Sequence, residues 1–187
     1  MSSIQMTKKR TALLSAAGLF AVFQAVMLLG IIPMQIHSST SMEEYSVEQI
    51  SQRAEMIVKG TIVDAKSNIH ASISNPDRPI VLTTYSLKPD TTIKGSDKSE
   101  IVEFKVSGGV VNNVVHLSDQ PVFEKGERVL LFLSKEPGTI YGDSYYLTGV
   151  TQGVYKIKGD VAEQEIPGRT TTESALVQKI QQALNEN

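Results

Sequence analysis

The chain has 187 residues with no cysteine and no tryptophan, and its 18 basic and 20 acidic residues give a formal charge of −2. The missing cysteine excludes disulfide staples, thiol nucleophiles, thiolate metal ligands and haem attachment motifs. The mildly acidic balance argues against a nucleic-acid partner, whose phosphates demand a basic face.

Residues 1–11 hold the basic cluster Lys8-Lys9-Arg10 and read as a short cytoplasmic tail. Residues 12–34, from Ala12 to Met34, are an apolar run interrupted only by Ser15, Gln24 and Pro33. As a helix this run rises roughly 34 Å, against a hydrocarbon core of about 30 Å, and predicts one transmembrane signal-anchor helix. A cleavable signal peptide has a shorter apolar region, about 7–15 residues, and ends at small residues. The exit Ile32-Pro33-Met34-Gln35-Ile36-His37 has no good cleavage signature, and a cut within Ser38-Ser39-Thr40 stays open. Either outcome places the remainder outside the cytoplasm. Three basic residues and no acidic one precede the run; fifteen basic and all twenty acidic residues follow it, a formal charge of −5 downstream. Positive charge ahead of a first helix stays cytoplasmic, so the expected location is the cell membrane, single-pass, with the C-terminal domain extracytoplasmic. Gln24 reads as one polar group tolerated in a lone helix, with a hydrogen bond to a partner helix as its alternative.

Residues 35–45 read as a stalk and 46–187 as one extracytoplasmic domain, large enough for its own core. Ser46-Val47-Glu48-Gln49 has the spacing of a capping box, and Val47, Ile50 and Ala54 follow at near-helical spacing, which predicts a short helix over 47–55. Met56 to Val63 is rich in β-branched residues and predicts a strand. Further strands are expected over Pro79–Ile93, Ile101–Val106, Val110–Leu117 (split by Asn112-Asn113), Arg128–Leu133, Tyr145–Val150 and Gly153–Ile157, with a short return strand at Val161-Ala162. The unbroken apolar character of Arg128–Leu133 fits a buried central strand. Runs of this length between Gly, Pro and Asp turns indicate an antiparallel sandwich or barrel rather than βαβ units. One of Thr170, Thr171 and Thr172 is expected to cap a last helix carrying Leu176, Val177, Ile180, Ala183 and Leu184 on one face, packed on the barrel.

The helix before Ala54-Glu55-Met56-Ile57-Val58-Lys59-Gly60-Thr61-Ile62, the strand ending in Ile93-Lys94-Gly95, then Ile101-Val102-Glu103-Phe104, Gly126-Glu127-Arg128-Val129-Leu130-Leu131-Phe132-Leu133 and a closing helix follow one order. Over about residues 46–185 this order resembles the netrin-like module of the tissue inhibitors of metalloproteinases, and also a set of uncharacterised exported prokaryotic proteins. The resemblance implies a mainly β fold, an OB-like barrel with short N-terminal and C-terminal flanking helices. Its motifs are structural and speak to fold before function. In the inhibitors a mature N-terminal cysteine ligates the target's zinc; this chain has no cysteine, so that mechanism and its residues do not carry over.

Candidate chemistry is sparse. Of the three histidines, His37 lies at the membrane exit, His70 in the loop-like stretch Ser67–Ala71, and His116 near Asp119. A metal site could draw His70 and His116 together with Asp64 or Asp119, but no dense ligand spacing supports one, and two surface histidines are the expectation. No G-x-S-x-G elbow or S-x-x-K motif occurs, and Ser107-Gly108-Gly109 reads as a strand-ending turn. Tyr141, Tyr145, Tyr146 and Tyr155 are the most plausible interaction surface, although alternation sends about half of these rings into the core. The expectation is a non-enzymatic protein-interaction module or accessory subunit of a membrane complex, without cofactor or metal. A sugar- or peptide-binding module is the alternative, and a hydrolase or metal protein the third reading.

Overall fold

The computed structural model describes residues 44–72, 77–96, 99–166 and 169–186. The expected transmembrane helix over 12–34, the cytoplasmic tail, most of the stalk, Gln24 and His37 lie outside the described residues. Among the described residues no helix is long and apolar enough to cross a membrane.

The domain is mainly β, with a helix at each end. Helix α1 spans Val47–Arg53, and its capping box is present: Ser46 Oγ accepts from the Gln49 amide while Gln49 Oε1 accepts from the Ser46 amide. At its other end the Lys94 ammonium donates to the Ser51 and Gln52 carbonyls, both at 2.9 Å, offsetting the negative end of the helix. The strands are β1 (Met56–His70), β2 (Ile80–Lys94), β3 (Val102–Ser107), β4 (Gly109–Val111), β5 (Val114–His116), β6 (Arg128–Ser134), β7 (Tyr145–Leu147), β8 (Val154–Lys158), β9 (Val161–Gln164) and β10 (Thr170–Thr172). Helix α2 spans Glu173–Asn185, with Thr172 as its N-cap accepting from the Ala175 amide.

Eight strands form one sheet in the order β1-β2-β3-β7-β6-β8-β9-β10, and β6 pairs again with β1. The ladder therefore returns to its first strand through β1, β2, β3, β7 and β6. The pairings are antiparallel except β3 with β7, which is parallel, and this corrects the expectation of a wholly antiparallel arrangement. β7 pairs antiparallel with β6 and then meets the free edge of β3 running in the same direction. β1 pairs with β2 along one edge and, over Met56–Thr61, with β6 along the other, and its register against β2 shifts at Ile57/Val58, Lys59/Gly60 and Ile62/Asp64. Gly60 is required at the second shift, since a Cβ there would overlap the Lys88 carbonyl.

Two cores result, and β6 feeds both. Val129, Leu131 and Leu133 point into a cluster with Val58, Leu87, Phe104 and Phe123, inside the circuit. Leu130 and Phe132 point the opposite way, into a cluster where Ile50 of α1 and Leu176 and Ile180 of α2 cover the sheet. Burial on both faces is why this strand reads as continuously apolar. The expected face of the last helix is the buried one: Leu176, Ile180 and Ala183 are buried, and Val177 and Leu184 pack beside them.

Three boundaries differ from the expectation. β1 continues past Val63 to His70, so His70 ends a strand opposite Ile80 and is not in a loop. The polar stretch Asp64–Asn68 is held by its pairing with β2, while its exposed side chains carry no apolar signal. The segment after Leu147 is not strand but a tight turn, with Gly149 at φ 65° and Val150 at φ 57°, leading into a 3₁₀ turn over Val150–Gly153. Thr170–Thr172 forms a short strand on β9 before Thr172 caps α2.

Candidate functional site

Beyond the body of the sheet, the far halves of β1 and β2 carry a small second sheet made of β4 and β5. Gly108 (φ 93°) and Gly109 (φ 135°) turn the chain out of β3, conformations that only glycine adopts without strain. Gly109 is needed for a second reason: a Cβ there would overlap the hydroxyls of Thr83 and Ser67. β4 and β5 then form a two-residue hairpin, Val111 opposite Val114, with Asn112 and Asn113 at φ 50° and 63°. Those are the values of a type I′ turn, and asparagine is the non-glycine residue that tolerates them best.

A chain of hydrogen bonds ties this hairpin to the body. The Thr83 hydroxyl donates to the Gly108 carbonyl at 2.7 Å, which commits its only proton. Ser67, 2.9 Å from Thr83 Oγ1, is therefore the donor in that contact, and Ser67 Oγ accepts from the Val110 amide at 3.3 Å. The direction runs from Val110 N–H through Ser67 and Thr83 to Gly108 C=O.

The segment after β5 returns across the end of β3. Gln120 fixes it, accepting from the Ser107 amide at 3.1 Å and donating to the Tyr141 hydroxyl at 2.6 Å. Phe123 then enters the core, edge-on to Tyr85 and Phe104 at centroid distances of 5.0 and 5.5 Å, and its amide donates to the Tyr85 hydroxyl. Burial raises the Tyr85 phenol above its ordinary value, so the ring stays neutral at physiological pH.

Between hairpin and body lies an open cleft of about 310 Å³. Tyr85 and Val106 line its deeper side, Ala65, Ser67 and Thr83 come from the long strands, and Val110, Val115, Leu117 and Val122 from the hairpin and the returning segment. Among the described residues no lysine, arginine, aspartate or glutamate lines it. Four of the exposed large apolar residues line it: Val110, Val115 and Val122 are each more than half exposed, and Leu117 is 91% exposed.

A second hollow, about 390 Å³, lies at the other end of the domain beside Tyr45, Tyr155, Arg169 and Lys179, where the described chain begins. The Arg53 guanidinium lies 4.3 Å over the Tyr45 ring, and Glu44 pairs with Arg169. These contacts fix the start of the domain against α1 and β10.

The sequence candidates are distributed as follows. His116 is exposed on the cleft wall, Asp119 is exposed in the returning segment, Asp64 is exposed on β1, and His70 stands at the end of β1 with Nε2 buried and unpartnered among the described residues. Among the described residues no three His, Asp or Glu side chains form a group that could hold a metal ion. Ser107 closes β3 and Gly108-Gly109 is the strand-ending turn the sequence indicated. Of the four tyrosines, Tyr155 is buried and Tyr145 packs against the core, while Tyr141 and Tyr146 stack at 5.0 Å on the surface. Sequence reasoning missed Gln120, which joins that stack to the cleft, and the outward aliphatic rim. No protein-family model matches the chain, and no curated protein matches it.

Proposed function

We propose that residues 46–187 are a barrel of the OB type, similar to netrin-like modules, held outside the cell membrane by the apolar run 12–34 with the N-terminus cytoplasmic. The ladder that returns from β6 to β1 supports the barrel reading, since closure removes the edges an open sheet would expose. The module works by binding a protein, as an interaction domain or accessory subunit of a membrane complex, and it does so without chemistry of its own.

The observation that carries this reading is the uncharged cleft under the β4–β5 hairpin, ringed by exposed aliphatic side chains. Contiguous exposed apolar surface costs solubility and marks a place that another molecule covers. The aliphatic lining, with a single tyrosine, suits protein side chains better than sugar rings, which stack on aromatic faces. The test places a photo-crosslinking residue at Leu117 or, as a control, at the exposed Gln181 of α2, in the full chain in its own membrane. A discrete polypeptide adduct at position 117 only, lost when Val115→Asp puts a carboxylate on the cleft wall, is the expected result. Equal labelling at both positions, or no polypeptide adduct at 117, overturns the reading.

A further inference from the structure

The hairpin has one edge engaged and one edge open. β4 faces the body through the Val110–Ser67 bond, and among the described residues β5 has β4 as its only strand neighbour. The register decides which backbone groups the open edge offers. Val111 and Val114 close a two-residue hairpin and are therefore a hydrogen-bonded pair; Val110 and Val115 are the next, non-bonded pair. The Val115 N–H and C=O consequently point away from β4, and neither has a partner among the described residues.

Exposed edges are ordinarily blunted by a lysine, a proline or a bulge. This one has none of these. From Ser107 to Ser118 there is no charged residue at all, while the chain after the apolar run carries a formal charge of −5. Two copies of an acidic domain repel over most of their surfaces, and this neutral edge is where they can meet without juxtaposing like charges.

We propose that the partner at this edge is a second copy of the chain: two β5 strands pair antiparallel about Val115 and merge the two hairpins into one four-stranded sheet. A two-fold axis through the Val115 pair makes the contact self-complementary. Each Val115 donates its N–H to the other's carbonyl, and Val114 of one copy lies opposite His116 of the other. The inference rests on the reading of this hairpin as an interaction surface, and adds to it the identity of the partner.

The absence of cysteine gives a direct test in the full chain, purified in mild detergent. In the proposed register the two Val115 Cα atoms lie about 5.5 Å apart, within the span a disulfide bridges. The two Leu117 Cα atoms are four residues out of step, roughly 14 Å apart, beyond that span. Single Val115→Cys and Leu117→Cys variants are oxidised and their disulfide-linked dimers compared by rate. Val115→Cys is expected to crosslink at least tenfold faster, although Leu117 is 91% exposed and Val115 only 63%. Exposure alone predicts the reverse order. Equal or faster crosslinking at 117, or no dimer at 115, overturns the pairing. Light scattering supplies an independent measure: the unmodified chain should have a dimer mass and Val115→Lys a monomer mass, and an unmodified monomer overturns the proposal. A foreign polypeptide captured at Leu117 with no Val115→Cys dimer would refute self-pairing and leave the broader reading standing.

Discussion

Thr83→Val tests how the hairpin is held. Thr83 is 5% exposed, and valine nearly preserves its shape while removing the hydroxyl. The Gly108 carbonyl loses the donor at 2.7 Å, and the Ser67 hydroxyl loses its acceptor at 2.9 Å. Stranding a buried carbonyl costs about 1–3 kcal/mol, whereas Ser67 is half-buried and recovers part of its loss from water, so we take about 2 kcal/mol. The cost falls on the hairpin. β4 and β5 contribute nothing to either core cluster, so the domain keeps its stability when they detach. Hydrogen exchange at the Val110 amide is the assay. That amide donates into the chain of hydroxyls, and about 2 kcal/mol is roughly a 30-fold loss of protection. Amides of β6 should be unchanged. Thr83→Ser keeps the hydroxyl and should keep most of the protection at Val110. Unaltered exchange at Val110 in Thr83→Val, or equal loss across β6, would refute the argument.

Three further outcomes follow from other parts of the fold. Val150 sits at φ 57°, where a β-branched residue is strained by about 1–2 kcal/mol; Val150→Gly should raise the urea midpoint by a net gain of about 0.5 kcal/mol after the freer unfolded chain is counted, and a lowered midpoint would show that the strain is not there. Phe104 is fully buried between Tyr85 and Phe123, so Phe104→Ala should destabilise the domain by about 3–5 kcal/mol in equilibrium unfolding, and a loss under 1 kcal/mol would mean that this cluster is not the core. Burial, and then the nearby Glu48 carboxylate, raise the Tyr155 phenol above its ordinary 10. A raised folded-state value gives stability that is complete below the unfolded value and is lost as pH rises through the folded one. Denaturant melts above pH 10 should therefore show a decline that is shallower in Tyr155→Phe, and identical slopes would contradict that assignment.

What the sequence revealed depended on whether a signal was local. The Ser46 cap and the apolar stripe of α2 are written in neighbouring residues, and each appears where the spacing put it, whereas Asn112-Asn113, read as a split within one strand over Val110–Leu117, is the turn of a hairpin. The far half of β1 is held by β2 across the hairpin, so its polar residues gave no sign of a strand. The parallel meeting of β3 and β7 depends on residues some forty positions apart. At the candidate site the valine pairs flanking Asn112-Asn113 were visible as strand residues, but their outward exposure was not. Alternation tells which side chains share a face, and says nothing about whether that face is covered. The hub role of Phe123 and the bracing by Gln120 arise from three-dimensional contacts alone.

β6 has a consequence for how the chain must be made. Val129–Leu133 is five consecutive apolar residues without a proline, the composition that assembles most readily into intermolecular cross-β structure before folding is complete. Since both faces are apolar, polarity does not penalise a one-residue slip of this strand, and its alignment has to come from the sizes of the side chains it meets. The sequence brackets it with gatekeepers: Lys125, Glu127 and Arg128 on one side, Lys135, Glu136 and Pro137 on the other. A newly made chain is guarded by these charges until β1 and β8 have closed over the segment.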